Sequence, residues 1–218
     1  MIPVKYLSKM GKYVVEIKGV KVEASVIDNE EVVDVKIAEL KASLQGHDRL
    51  VVGVDVKYRI DRSGLRSPDL LILSWKNRCL IVQICRLNQI PESVYHFLAD
   101  KSICFVLKRY ENHKLNNVED HWMYSHLSSS IDSIVELGQL AVRVLKNPNL
   151  STCGLADLAR EVGVNAADAS SRDSSAAAGS SNAPNWKSIA FTDQQIKDAI
   201  QDAYTTYLVG DKLLEMVA

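Results

Sequence analysis

Between Lys12 and Ile27 the stretch KYVVEIKGVKVEASVI alternates β-branched with charged residues on both sides of Lys18 and Gly19. A period of two marks half-buried strands, and glycine supplies the turn, so this stretch predicts a two-stranded hairpin. Asp28 and Asn29 follow as N-caps for EEVVDVKIAELKASL, where Val32, Val35, Ile37, Leu40 and Leu44 form an apolar stripe and a helix should end near Gly46. Three apolar runs come next, RLVVGVDVKY, PDLLILSW and KNRCLIVQIC, with Asn77 and Arg78 as a turn between the last two. Short unbroken apolar runs read as strands of a buried sheet, here an antiparallel meander. IPESVYHFLAD then predicts a helix over 90–100, and SICFVL a fourth strand.

The second half reads as mostly helical. Ser133 to Lys146 carries Ile134, Leu137, Leu140, Ala141 and Leu145 on one face, Cys153 to Val162 forms a shorter helix, and Thr192 to Met216 a long one, bent near Tyr204. Between the last two, NAADASSRDSSAAAGSSNAP has too little large apolar area to offset its ordering entropy, which predicts a mobile low-complexity loop at 165–185. Meander, helix, strand, then helices is an α/β order with a mixed central sheet flanked by helices and preceded by the hairpin.

A chain of 218 residues, 47% hydrophobic, is long enough to bury a full core, and we expect one domain over 1–218. Its 26 basic and 27 acidic residues exclude a broad basic field, so any nucleic-acid contact must be local. Cys79, Cys85, Cys104 and Cys153 lie in or beside apolar runs without the paired spacing of a zinc site, and read as reduced core residues. MIPVKYLSKMGKY lacks a continuous apolar segment, and no apolar run approaches bilayer length. The expectation is a soluble intracellular protein, cytoplasmic and/or nuclear, with no membrane partner.

The string VVGVDVKY resembles the opening motif of the DEDD exonucleases, the superfamily of ribonuclease D and the Werner-syndrome-type exonuclease, which ends its strand with Asp-x-Glu. LILSWKNRCLIVQI looks like that superfamily's second and third strands, SICFVLKRYENHKL like its second motif, and FTDQQIKDAIQDAYTTYLVGDKLLE like its third. RCLIVQI, IPESVYHFLAD and LSTCGLADLA resemble the plant Werner-like group, which includes small exoribonucleases that clear fragments from the RNA silencing complex. The resemblance implies a ribonuclease H-like (DnaQ-like exonuclease) fold. It also implies a site in which four carboxylates hold two divalent metals, Mg²⁺ or Mn²⁺, for in-line displacement at phosphorus.

Carried over residue by residue, that pattern is largely replaced. Asp55 falls on the first carboxylate and Lys57 on the family's Glu; strand alternation turns both side chains the same way. In the second motif VLKRY replaces a glycine-bearing segment where backbone must approach closely, and Leu107 and Arg109 add bulk there. His113 stands at the next Asp. In the third motif Asp202 is retained, while Asp198 takes the place of the tyrosine that orients the attacking water. An ammonium at a ligand position cannot coordinate a metal and repels one, so two-metal occupancy is disfavoured.

Lys57 has two readings, a structural ion pair with Asp55 and Asp202 or a metal substitute that binds a phosphate. His113 reads as a surface or cleft histidine, or as a metal ligand or general base. Asp198 reads as an exposed helix residue, or as a replacement ligand four residues from Asp202. The residues of HKLNNVEDHW point several ways on a helix and are set aside as a metal site. Lys108, Arg109, Lys114, Arg59 and Arg62 offer a local positive rim, and Tyr58, Tyr110 and Tyr204 faces for base stacking, against the plainer reading of a solvated surface.

These readings predict a weakened or inactive 3′–5′ exonuclease-like protein that retains nucleic-acid or protein binding and needs no cofactor. The alternatives are an active exonuclease on single-stranded RNA or DNA, with Mg²⁺ or Mn²⁺ between Asp55 and Asp202, and a structural subunit of a homo-oligomeric ring or of a ring shared with an active paralogue.

Overall fold

The computed structural model describes residues 1–60, 66–108, 134–164 and 184–217. The hairpin forms from β2 (Tyr13–Ile17) and β3 (Val20–Ile27), joined by Lys18 at φ 49° and Gly19 at φ 78°, the two positive values of a tight hairpin turn. Ahead of it, β1 (Ile2–Pro3) pairs with β9 (Ala190–Phe191), and α1 (Val4–Met10) buries Val4 and Leu7; the sequence pattern signalled neither element.

Asn29 caps α2 (Glu30–Leu44), its side chain accepting from the amides of Glu31 at 3.0 Å and Val32 at 3.3 Å. The buried stripe is Val33, Ile37, Leu40 and Leu44, whereas Val35 is exposed. That corrects the expected stripe by bringing in Val33, which shares a face with Ile37 one turn later.

The main sheet adds β4 (Val51–Ile60), β5 (Arg66–Trp75), β6 (Arg78–Val82), β7 (Cys104–Leu107) and β8 (Ile134–Glu136), in the order β2-β3-β6-β5-β4-β7-β8. β4, β5 and β6 form the antiparallel meander, turning at Lys76–Asn77 rather than Asn77–Arg78, while β3 pairs with β6, β7 with β4 and β8 with β7 in parallel. After Val82 the third run leaves the sheet in a 3₁₀ turn, Ile84–Arg86. α3 (Glu92–Leu98) then leads to β7.

Ile134 is a further correction. It belongs to a strand opposite Phe105, not to the helix expected from residue 133, and α4 (Leu137–Leu145) begins only once the Glu136 side chain accepts from the amides of Gly138 and Gln139. α5 (Leu155–Glu161) follows, and α6 (Asp193–Glu215) closes the fold. A reciprocal Thr192–Gln195 capping box starts α6, which runs as one unbroken helix through Tyr204. The expected loop lies outside the described residues from 165 to 183. Among the described residues no helix is long and apolar enough to cross a membrane.

α6 packs across β4 and β7, backbone against backbone at Gly53 and helix backbone against the Val106 side chain at Gly210. A Cβ added at Gly53 would meet the Ala203 carbonyl and lie 2.6 Å from the Tyr207 amide nitrogen; one at Gly210 would lie 2.7 Å from Val106. Both glycines exist for close approach rather than for turning. This approach positions the site, because Asp202 sits beside Ala203 on the helix and Asp55 two residues beyond Gly53 on the strand.

Candidate functional site

Asp55 and Lys57 alternate onto the α6 face of β4, an interior strand between β5 and β7, and α6 delivers Asp202 from above. Lys57 Nζ lies 2.8 Å from Asp55 Oδ2 and donates to Asp202 Oδ2 at 2.5 Å. The side chains of Lys57, Asp55 and Asp202 are 5%, 6% and 21% exposed. Burial pushes the Asp202 carboxyl above the ordinary aspartate range; Lys57 opposes that shift, Asp55 adds to it, and Lys108 also lowers it. Two carboxylates and one ammonium leave the cluster at a formal charge of −1.

These side chains do not fit a divalent metal. The position between the two carboxylates, where a cation would sit, already holds a covalently attached one. Among the described residues no group of three or more His, Cys, Asp or Glu side chains is placed to hold an ion.

Asp198 lies one turn before Asp202 and is half-buried, and its Oδ1 accepts from Gln194 Nε2 at 2.7 Å. Lys108 follows β7 and is half-buried, close enough to Asp202 to shift it. Tyr58 is half-buried against the core, and strand alternation turns it to the face of β4 opposite Asp55 and Lys57. Tyr204 is only 7% exposed, which corrects its reading as a stacking face: a ring enclosed by the sheet cannot receive a base. Arg62, Arg109, Tyr110, His113 and Lys114, with the run HKLNNVEDHW, lie outside the described residues.

A second buried carboxylate escaped the sequence reading. The β4–β5 register shifts between Lys57, opposite Leu70, and Tyr58, opposite Pro68, leaving Asp69 as the extra residue of a bulge. Asp69 is 2% exposed, Arg59 Nη1 is 3.9 Å from its Oδ1, and this oxygen accepts no hydrogen bond among the described residues. Burial raises its pKa, against the pull of Arg59, a hydrogen bond with Cys85 and the charge of Lys187. Burial and Asp69 together push the Cys85 thiol up to about 11, and burial alone pushes Cys79 up to about 12, so neither is a ready nucleophile. A polar PD at the start of an otherwise apolar run was the one available signal.

No protein-family model and no curated protein sequence matches the chain. Solved structures do. The chain is similar to Escherichia coli RNase D, described as an exoribonuclease involved in structured RNA processing, at 14% identity and TM-score 0.63, covering 90% of this chain and 45% of that one. It is similar to the catalytic core of RRP6 from Trypanosoma brucei, at 15% identity and TM-score 0.63, covering 100% and 53%. A third match is the Aedes aegypti Nibbler EXO domain, at 12% identity and TM-score 0.61, covering 94% and 92%. The chain therefore spans about half the length of the RNase D and RRP6 structures and nearly all of the Nibbler domain. Its fold is the ribonuclease H-like fold of DnaQ-type 3′–5′ exonucleases.

Proposed function

We propose that this protein is an exonuclease-fold protein that binds single-stranded nucleic acid without hydrolysing it. The observation that carries this reading is Lys57, whose ammonium bridges Asp55 and Asp202 where the fold's chemistry would place a divalent cation. A tethered ammonium offers no open coordination position, and so neither activates a water nor clamps a leaving oxygen. Replacement of the second-motif Asp by His113 and of the water-orienting tyrosine by Asp198 supports the same reading. For binding, Lys108 supplies a cation beside the cluster and Arg59 another, two residues beyond Lys57 on β4, in a chain whose net charge otherwise gives no attraction. The plant Werner-like kinship belongs to this proposal, and so does dispensing with Mg²⁺ and Mn²⁺.

The test pairs binding with cleavage. Labelled single-stranded RNA and DNA are titrated with the protein and followed by fluorescence anisotropy, then incubated with Mg²⁺ or Mn²⁺ and resolved on a sequencing gel. Salt-sensitive binding with intact strands is expected. Trimming by the wild type that disappears in Asp55→Ala would overturn the proposal. A Lys57→Glu/His113→Asp variant that begins to trim would show that only the site decayed; continued inactivity would implicate Leu107 and Arg109.

A further inference from the structure

At the edge of the seven-stranded sheet, β2 pairs only with β3 among the described residues. Val15 and Ile17 are buried, and the Tyr13 hydroxyl donates to Asp193 Oδ1 at 2.6 Å, whereas Lys12, Val14 and Glu16 lie on the exposed face, Val14 being 54% exposed and Lys12, its side chain 57% exposed, donating to Glu23 Oε2 at 2.9 Å. The two-residue turn closes on the pair Ile17–Val20, so Ile17, Val15 and Tyr13 spend their backbone groups on β3. Lys12, Val14 and Glu16 therefore aim their backbone groups outward, away from β3. An edge of this kind is a template for another strand.

We propose that the occupant is β2 of a second copy of this chain, paired antiparallel about a two-fold axis at Val14. The choice of partner and register rests on charge. With Val14 opposite Val14 of the second copy, each Lys12 faces a Glu16, twice over by symmetry. The neighbouring register, centred on Val15, would set Lys12 against Lys18 twice, and like charges directly opposite are destabilising. The favoured register also puts outward-facing backbone groups opposite each other along the pair. It brings Met10, 59% exposed where α1 runs into β2, beside the second copy's hairpin tip, where Val20 is 43% exposed. A two-fold contact of this kind is self-complementary and closes at two copies.

The experiment is sedimentation velocity on the full chain across a concentration series. Wild type should show a reversible monomer–dimer equilibrium. Glu16→Lys sets lysine against lysine, and Lys12→Glu sets glutamate against glutamate, so each alone should raise the dissociation constant about tenfold. Mixing the two variants restores opposite charges at both positions and should restore association, which misfolding would not do. Val14→Pro removes an outward amide without touching the β2–β3 ladder and should also give monomer. A wild type that stays monomeric throughout, or a dimer indifferent to Glu16→Lys and to mixing, would overturn the proposal.

Discussion

Two buried aspartates lie at the same end of the sheet and are treated differently. Asp55 has an ammonium at 2.8 Å that it shares with Asp202, whereas Asp69, in the bulge beside the Lys57–Leu70 pair, has its guanidinium at 3.9 Å. Both are almost wholly removed from water. In both places burial pushes a carboxyl above the ordinary aspartate range, Asp202 in the first and Asp69 in the second; what differs is the opposing cation, a buried ammonium in direct contact with Asp202 and a guanidinium 41% exposed and held off from Asp69. Burial costs a carboxylate its hydration everywhere, and the position of the nearest cation decides how much of that cost is offset.

The largest effect should come from removing the shared cation. Lys57→Ala leaves Asp55 and Asp202 facing each other in a dry site and should cost about 3–5 kcal/mol in denaturant unfolding. Added Mn²⁺ should raise the melting temperature of this variant and leave that of the wild type unchanged, because two facing carboxylates without a lysine can share an ion. Equal Mn²⁺ responses from both proteins would remove the contrast between the two regions.

Asp69→Asn should be far milder at neutral pH, within about 1 kcal/mol of wild type, since the amide replaces a carboxyl that folding already penalises when ionised. Its pH dependence carries the sharper signal. A folded-state pKa raised above the ordinary 3.8 means that this group's stabilisation is complete below that value and declines as pH rises through the raised one. Asn does not titrate, so the stability difference should move in the variant's favour as pH rises through that window, read by thermal unfolding in matched buffers. Movement in the opposite direction would mean that Arg59 outweighs burial.

The smallest effect is expected at Asp100, a carboxylate near water. The Lys41 ammonium and the Ser102 hydroxyl beside it hold its pKa at about 2. That contribution is present above 3.8 and lost as pH falls through about 2, the reverse of Asp69. Asp100→Asn should cost about 0.5 kcal/mol at pH 7 and little below pH 2. A cost at neutral pH as large as that of Lys57→Ala would break the rule that burial sets the scale.

Much of this was legible in the sequence where the signal is local. The β2–β3 hairpin follows from alternation around a Lys-Gly turn, the meander from three apolar runs, and the common direction of Asp55 and Lys57 from strand pleating alone. β8 was missed because three residues at a helix entrance carry no period of their own, and they become a strand only because β7 offers an edge. Asp69 was missed because a bulge depends on how two strands align, and Tyr204 was misplaced because burial depends on what packs above it.

The sequence by itself thus determined the longer elements, their approximate limits, and which carboxylates and cations were available, since periodicity and caps act over a few residues. Tertiary structure alone decided that Asp202, 145 residues from Lys57, lands within 2.5 Å of it. That meeting requires α6 to approach β4 at Gly53, where no side chain intervenes, and the close approach is a property of two surfaces packed together rather than of either strand or helix.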